Sequence, residues 1–378
     1  MKRVLAFFSE SSIDWVLFLA LVPLVGAGLL TMDSFVGADN YFFSRQLVWI
    51  AVSILVFFLF SAIDWRFLRR SNILMILFSS SLALLLLLFI AGYVAKGAQS
   101  WFRFGSFSFQ PSDVVKLFVI LVLAKYFSRR HIEIAHIRHI LVSGFYALVP
   151  FVLVFLQPDF GSAIVIFFIW LGMIMVSGVS KKHLALVFFM GALSFILLWS
   201  FVFAPYQKER ILTFVHPLTD IEGAGYNARQ SVIAVGSGEL LGKGVGFGTQ
   251  SRLQFLPEYE TDFIFAAFTE EWGFIGAVIV LALFAFVLWR IIAAALHGAS
   301  NFETLFGAGL AVFFMSHIVI NVGMNIGVLP VTGIPLPFMS YGGSHLLTEF
   351  AGLGILMGMR RYARPAHRED IANELVGV

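Results

Sequence analysis

The sequence predicts an all-α polytopic membrane protein with about ten transmembrane helices and one long extracytoplasmic loop between spans seven and eight. Three observations support this fold class. Hydrophobic residues make up 60% of the 378 residues, 12% are charged, and the mean hydropathy is +0.92. Since a soluble domain is about one quarter charged, this composition excludes a soluble enzyme, a nucleic-acid-binding protein and a disordered chain. The apolar runs are also long and continuous, which favours spanning helices over transmembrane strands.

A spanning helix needs roughly 20 mostly apolar residues, and ten segments of the chain reach or approach that length. They cover residues 14–32, 42–62, 73–92, 111–127, 139–156, 160–178, 183–203, 262–289, 304–325 and 343–359. We therefore predict a single transmembrane domain over residues 1–378 that contains one extracytoplasmic loop at residues 204–261. The chain has no cysteine, which excludes disulfides and thiolate metal sites.

The positions of the basic residues predict the orientation of the spans. With the N-terminus in the cytoplasm, most of the 25 Lys and Arg residues lie in or beside cytoplasmic segments. Outside the long loop, the other face then holds only Arg45, Lys96, Arg103 and Lys116. Basic residues concentrate in cytoplasmic loops, so we expect both termini in the cytoplasm and a multi-pass protein of the bacterial cytoplasmic (inner) membrane.

The loop at residues 204–261 is the one long connection between the predicted spans. It contains an amphipathic stretch, Tyr226–Val235, followed by a run of glycines between Gly236 and Gly248. These glycines lack the spacing and the Ser or Thr of a nucleotide-binding phosphate loop. Two interpretations remain open: the glycines form tight turns, or their backbone N–H groups approach a diphosphate.

Polar and ionisable residues gather at the predicted outer ends of the spans. Asp113 and Lys116 lie three residues apart, on one face of a helix. The others are Asp159, Asp262, Glu270, Glu271, Asn321 and Asn325, and a segment rich in Pro, Gly and Ser at residues 329–344. Ionisable groups in membrane spans usually line a cavity. Their convergence on one side predicts an outward-facing site near the lipid headgroups.

Each of these residues also has a purely structural interpretation. Asp113, Asp159 and Asp262 are suited to the first positions of helices, and Lys116 to an extended side chain that reaches the headgroups. Glu270 and Glu271 lie too far inside a span to cap it, so we expect pairing with a basic neighbour. Glu349 and His345 are four residues apart and predict a pair on one helical face.

Several motifs, taken together, resemble the SEDS family of proteins (RodA, FtsW and SpoVE). They are Phe109-Gln-Pro-Ser112, Gln157-Pro-Asp159, Gly223-Ala-Gly-Tyr226, Gly244-Val-Gly-Phe-Gly-Thr-Gln-Ser251, Phe255-Leu-Pro-Glu258, Thr261-Asp-Phe-Ile-Phe-Ala266, Glu270-Glu-Trp-Gly-Phe-Ile-Gly276, Asn321-Val-Gly-Met324, Leu329-Pro-Val-Thr-Gly-Ile-Pro-Leu-Pro337 and Ser340-Tyr-Gly-Gly-Ser344. The matches occur in family order over most of the chain. Lys96-Gly-Ala-Gln99 and Gly333-Ile-Pro-Leu-Pro337 resemble the RodA branch more than FtsW.

The resemblance implies a ten-span fold and peptidoglycan glycosyltransferase activity for cell elongation and rod shape. The implied substrate is lipid II, which is polymerised on the outer face of the cytoplasmic membrane, and the implied partner is a class B penicillin-binding protein, a transpeptidase. The family's catalytic Asp falls on Asp262. Its cavity residues fall on Asp113, where the family motif has Glu, and on Lys116 and Asp159.

The chain departs from the family pattern at four further positions. Glu260 stands where His is common, and Glu239 replaces the last Gly of a Gly-Ser-Gly-Gly stretch. His345 replaces the last Ser of a Gly-Gly-Ser-Ser stretch, and Ser100 stands where Arg is common.

The chemistry of glycan growth suggests roles for these side chains. A sugar 4-hydroxyl attacks the anomeric carbon of a second sugar and polyprenyl diphosphate leaves, so the hydroxyl needs a base, for which Asp262 is suited. Lys116, with Arg210 or a divalent cation (Mg or Mn) held by Asp159 or Asp113, would stabilise the diphosphate. Asp262 as the ligand of that cation is the alternative. Gln230 and Ser340 complete the predicted substrate-binding residues.

Two other classes of function fit parts of the sequence. A flippase or transporter for the same lipid also has many spans and broken Gly/Pro segments, but here the acidic residues cluster at one face and the two halves show no internal repeat. A non-enzymatic scaffold for cell-wall synthesis partners would make Asp262 replaceable.

Overall fold

The computed structural model describes residues 13–34, 41–95, 98–105, 107–129, 137–201, 203, 207–208, 212–214 and 224–376. A helix occupies each of the ten predicted spans. These helices are α1 (Trp15–Ser34), α2 (Tyr41–Ala62), α3 (Ser71–Ala91), α4 (Pro111–Ser128), α5 (Ile137–Leu156), α6 (Phe160–Val176), α7 (Lys181–Phe201), α10 (Ile264–Leu296), α11 (Asn301–Asn325) and α12 (Gly343–Val376). Within the described residues, α1, α2, α3, α5, α7, α10 and α11 are long and apolar enough to cross a membrane, and α6 is a shorter apolar helix. The count of ten spans stays a prediction.

Helix α11 lies at the centre of the bundle and packs against α4, α6, α10 and α12. Two glycines allow this close approach. A Cβ at Gly309 would lie 2.6 Å from the Ile120 side chain, and one at Gly172 of α6 would lie 2.6 Å from Val312. Small residues at helix contacts are typical of membrane bundles, where packing rather than hydrophobicity drives association.

Helices α2 and α12 pack along each other over most of the length of α2. Gly343 faces the indole ring of Trp49, and Gly354 faces the backbone of Phe57, so neither position has room for a Cβ. This contact fixes the start of α12 relative to the rest of the bundle.

The two ends of the bundle differ in chemistry. At one end, which we call the far end, buried Asp14 forms ion pairs with Arg290 and Arg360, and Arg69 pairs with buried Glu303. These pairs join the start of α1, helices α10, α11 and α12, and the 3₁₀ helix Trp65–Arg69 that follows α2. The opposite end, which we call the site end, carries the polar residues that the sequence singles out.

A small antiparallel sheet between α3 and α4 was not predicted. Strands β1 (Tyr93–Ala95), β2 (Ala98–Phe104) and β3 (Phe107–Phe109) pair in the order β1-β2-β3. The outer strands have three residues each, too few to show alternation, and this segment was predicted only as a connection between two spans. The sheet leads into Pro111, which begins α4 at a position that tolerates proline.

The described part of the long loop includes helix α8 (Ala224–Ser237) and the one-turn helix α9 (Thr249–Arg252). Helix α8 contains the amphipathic stretch Tyr226–Val235, and it packs against α10 and α11. Helix α10 is interrupted at Gly273, whose φ of 68° and ψ of −170° are not helical. The span that follows the loop is therefore two helical pieces joined at a glycine.

Candidate active site

Asp262 lies in a turn immediately before α10, at the site end of the bundle, and is half-buried. Its backbone carbonyl accepts hydrogen bonds from Asn321 Nδ2 at 2.9 Å and from Asn325 Nδ2 at 3.0 Å. The N-cap of α10 is Phe263, and no side-chain cap hydrogen bond is present there. Asp262 therefore lies one residue before the cap position, and two buried amides of α11 hold its backbone.

Residues 330–342, which we call the strap, join α11 to α12 and lie beside Asp262. A Cβ at Gly333 would stand 3.5 Å from Asp262 Oδ2, and Gly333 has a φ of +73° that favours glycine. Asn321 Nδ2 also donates to the Ile334 carbonyl at 2.8 Å. The same amide thus holds both the strap and the aspartate, and glycine leaves space next to the carboxylate.

Ser340 is the predicted substrate-binding residue of the strap. Its hydroxyl accepts a hydrogen bond from the Leu336 N–H at 2.8 Å and donates to the Thr261 carbonyl at 2.6 Å. The Tyr341 N–H in turn donates to the Glu260 carbonyl at 2.8 Å. Since the single proton of the Ser340 hydroxyl is used within the protein, this residue fastens the strap to the segment that carries Asp262.

Asp113 and Lys116 form a buried ion pair at the start of α4. The Lys116 ammonium lies 3.1 Å from Asp113 Oδ1, and both residues are 2% exposed. His345 Nδ1 of α12 lies 3.4 Å from the same oxygen. The prediction that the two residues share a face is confirmed, and the alternative of a lysine extended to the headgroups is wrong.

Asp159 caps α6, as its structural interpretation predicted. Its Oδ1 accepts from the Ser162 N–H at 3.0 Å, and its Oδ2 accepts from Gln110 Nε2 at 2.9 Å. The next turn places Gly161 against the strap, where a Cβ would lie 2.7 Å from the Thr332 carbonyl. The helix that Asp159 caps therefore contacts the strap at Thr332, the residue before Gly333, which lies next to Asp262.

The glycines that follow α8 pack against the interruption of α10. A Cβ at Gly242 would lie 2.0 Å from the Glu271 carbonyl, and the Phe274 N–H donates to the Glu239 carbonyl at 2.8 Å. The Lys243 N–H donates to the Glu270 carbonyl at 3.0 Å. These hydrogen bonds satisfy backbone groups that the interruption frees, which is required inside a membrane protein. The geometry favours the interpretation of the glycines as turn residues.

Glu270 and Glu271 hold this glycine segment through their side chains. Lys243 Nζ lies 2.7 Å from Glu270 Oε1, which confirms the expected pairing with a basic neighbour. Glu271 instead accepts from the Gly246 N–H and, at 3.0 Å, from the Ser34 hydroxyl. Both carboxylates therefore act on the loop, two turns along α10 from Asp262.

Two tyrosines next to the site remain protonated at neutral pH. Burial raises the pKa of the Tyr259 hydroxyl, and the Glu260 carboxylate raises it further. Burial also raises the pKa of Tyr341, although a hydrogen bond from Arg45 opposes the rise. Neither phenol is suited to accept a proton, so carboxylates remain the candidate bases at this end of the molecule.

Two further predicted residues lie apart from these contacts. Arg210 falls outside the described residues. Gln230 is half-buried on α8, next to Ser231, whose hydroxyl donates to the Asn325 carbonyl at 2.9 Å. Across the described ranges, no group of three or more His, Asp or Glu side chains is arranged to hold a metal ion.

Sequence reasoning missed His317, which is fully buried in α11. Its Nδ1 lies 3.2 Å from the Pro335 carbonyl of the strap, and its ring stacks on His345 with centroids 4.6 Å apart. The signal was present, because His317, Asn321 and Asn325 follow at intervals of four and form a polar stripe along one face of an apolar helix.

The arrangement places a half-buried carboxylate at the site end of the bundle and holds its backbone through two amides. A buried cation, Lys116, lies behind it and is connected to it through α11, α12 and the strap. A carboxylate of this kind can accept a proton from a hydroxyl nucleophile.

The chain is also similar to known proteins. Residues 11–365 match the model of the family FtsW/RodA/SpoVE, described as cell cycle protein. Peptidoglycan glycosyltransferase MrdB of Escherichia coli K12 is 34% identical over 358 residues, which cover 95% of this chain and 96% of the relative. Stage V sporulation protein E of Bacillus subtilis is 37% identical over 331 residues, which cover 86% and 89%.

Solved structures show the same architecture. A chain from a structure described as the structural coordination of polymerization and crosslinking by a peptidoglycan synthase complex has a TM-score of 0.79 at 31% identity, and the match covers 93% of this chain and 98% of that one. The rod shape determining protein RodA of Thermus thermophilus has a TM-score of 0.70 at 30% identity, with the same coverage. The likeness extends over almost the whole of each chain.

Proposed function

Since the chain belongs to the FtsW/RodA/SpoVE family and is a multi-pass membrane protein, we propose that it is a peptidoglycan glycosyltransferase that polymerises lipid II into glycan strands. The observation that carries the proposal from the family to this chain is the position of Asp262. Two buried amides fix its backbone, and glycine leaves space beside its carboxylate.

In the proposed reaction, the 4-hydroxyl of the acceptor sugar attacks the anomeric carbon of the donor. The new glycosidic bond forms as the bond from that carbon to the diphosphate breaks, and the bonding electrons leave with undecaprenyl diphosphate. Asp262 accepts the proton of the hydroxyl as a general base. A diphosphate leaves readily when its charge is stabilised, so no strong general acid is needed.

The leaving diphosphate needs positive charge nearby. Because Lys116 is buried and paired with Asp113, we propose that a divalent cation shares this role with Arg210. Magnesium is commonly held by one or two carboxylates together with substrate phosphates. Asp159 would supply a carboxylate, or Asp262 would do so in place of its role as the base. Removal of divalent cations with EDTA is then expected to stop polymerisation, and added Mg²⁺ or Mn²⁺ to restore it.

The test of the proposal is polymerisation of purified lipid II by the full-length protein in liposomes. The variant Asp262→Asn keeps the shape of the side chain but not its basicity, and we expect its rate to fall by about 100-fold or more. The matched control is Asp64→Asn, because Asp64 is a carboxylate paired with Arg66 at the far end. Near-parent activity of folded Asp262→Asn would contradict the assignment.

The same liposomes separate the alternative functions. Transfer of fluorescent lipid II between leaflets without glycan product would indicate a flippase. Binding of a class B penicillin-binding protein by a chain that gives no product, alone or with that partner, would indicate a scaffold. We propose such a transpeptidase as the partner, since one structural relative comes from a peptidoglycan synthase complex.

We further propose that the site end faces the outside of the cytoplasmic membrane, for elongation of the cell wall. Ala299 and Val328 flank α11 and are both exposed, and about 37 Å of helix separates them at 1.5 Å per residue. The chain has no cysteine, so Val328→Cys and Ala299→Cys each introduce one thiol. A membrane-impermeant maleimide applied to intact cells should label Val328→Cys alone, and labelling of Ala299→Cys alone would reverse the orientation.

A further inference from the structure

A buried polar network joins α4, α12 and the strap. Asp113 lies between Lys116 and His345, and His345 lies between Asp113 and Glu349. His345 Nε2 is 2.9 Å from Glu349 Oε1, a charge contact rather than an aligned hydrogen bond. All four side chains are less than 9% exposed.

The composition of the network determines its charge. Both ring nitrogens of His345 face carboxyl oxygens, and an imidazolium has a proton for each of them. With His345 charged, the two cations Lys116 and His345 balance the two anions Asp113 and Glu349. Buried charges persist only when they are compensated, so a protonated His345 would supply the charge that lets Glu349 stay ionised beside Asp113.

The network is joined to the strap at two places. The Phe338 N–H donates to Glu349 Oε2 at 3.0 Å, and Phe338 has a φ of +62°, which is uncommon for a residue other than glycine. His317 stacks on the His345 ring and contacts the Pro335 carbonyl. Glu349 therefore holds the strap in a conformation that its sequence does not favour.

We propose that His345 and Glu349 are positioning residues for Asp262. They fix the strap against the Asp113–Lys116 ion pair, and the strap in turn fixes Asp262 through Ser340 and Asn321. The inference rests on the proposed function in one respect, that Asp262 is the group that must be positioned. Its physical content, a charge-balanced network that fixes the strap, is independent of that function.

The test is a double-mutant cycle with His345→Gln and Glu349→Gln. His345→Gln leaves one uncompensated negative charge, and we expect the maximal rate of polymerisation to fall roughly tenfold or more while the half-saturating lipid II concentration stays within about twofold. Glu349→Gln is expected to cost less, because His345 can lose a proton and pair with Asp113 alone. The double variant restores charge balance and should recover to within about threefold of the parent.

A second readout follows the strap without using activity. Thr332→Cys places the only thiol of the chain on the half-buried part of the strap. We expect its reaction with a water-soluble maleimide to be about threefold faster in His345→Gln and to return towards the parent rate in the double variant. As a matched control, Asp14→Asn removes a buried anion at the far end; it should lower the unfolding temperature and leave the labelling rate unchanged.

The two readouts separate the two proposals. The parent protein could give no glycan product while labelling is still faster in His345→Gln and returns towards the parent rate in the double variant. The proposed function then fails, but the fixing of the strap by this network stands. Equal labelling rates in the parent, the two single variants and the double variant would overturn the positioning role. A His345→Gln protein that polymerises lipid II at the parent rate would also overturn it. A double variant as slow as the product of the two single effects would also overturn it.

Discussion

Helices α7 and α11 have similar lengths and both are apolar, yet they occupy opposite environments. Their most apolar windows have mean hydropathies of 2.3 and 1.9, but 72% of the α11 window is buried. Val187 is the single buried residue among those described in α7, whereas α11 contacts α4, α6, α10 and α12. Hydropathy therefore identifies both as spans without distinguishing a central helix from a peripheral one.

The difference lies in the few residues that are not apolar. Helix α11 carries His317, Asn321 and Asn325 on one face, and each contacts a backbone carbonyl of another segment of the site. Beyond its first turn, the polar groups of α7 include Ser200, whose hydroxyl bonds to the Ile196 carbonyl of the same helix. Polar side chains with partners on other segments thus mark the helix that organises the site, and substitutions in the two helices should test this distinction.

The largest effect is expected for Asn321→Leu, which keeps the volume of the side chain and removes its donor. The Ile334 carbonyl loses its donor, while the Asp262 carbonyl keeps Asn325. We expect a loss of about 1–3 kcal/mol in the free energy of unfolding, measured by thermal unfolding in detergent. We also expect a roughly 10- to 100-fold lower polymerisation rate, because small displacements of catalytic groups are costly.

The control substitution in α7 is Leu193→Ala, which shortens an exposed apolar side chain of another long apolar helix. It should leave the unfolding temperature and the polymerisation rate within experimental error of the parent. An Asn321→Leu protein that is as active as Leu193→Ala would show that the polar face of α11 does not organise the site.

An intermediate effect is expected for Gly309→Ala in α11. The added Cβ would lie 2.6 Å from the Ile120 side chain and 3.0 Å from Met173 Sδ, so α11 must move away from α4 or α6. Overpacking of this kind costs about 1–3 kcal/mol, and urea or thermal unfolding should show it. Because Gly309 lies three turns from Asn321, we expect stability to fall more than the rate per folded molecule.

The sequence was most informative about the positions of the helices. A run of about 20 apolar residues needs no partner to become a membrane helix, because the helix satisfies its own backbone; this is why a helix occupies each predicted span. Part of the site was also predictable. Because charged residues are rare in this chain, four of them stood out at the span ends: Asp113, Lys116, Asp159 and Asp262.

The features that escaped prediction depend on contacts between distant segments. Gly273 interrupts α10 because the glycine segment after α8 supplies new hydrogen-bond partners, and no pattern within α10 encodes them. The partner of His345 could not be known before α4 and α12 were brought together. The burial of Lys116 likewise has two causes. The spacing predicted its pairing with Asp113, but it did not predict the packing of α4.

The smallest effect, and one of opposite sign, is expected for Gly191→Ala in α7. No atom lies within 4 Å of a Cβ added at Gly191, so the alanine meets no packing penalty. Alanine is favoured over glycine within a helix by about 0.5–1 kcal/mol, and a slightly higher unfolding temperature should follow, with an unchanged rate. The same glycine-to-alanine change would then stabilise the peripheral helix and destabilise the central one. A destabilised Gly191→Ala protein would instead mean that α7 has a packing partner, and that its exposed surface is an interface rather than a lipid-facing surface.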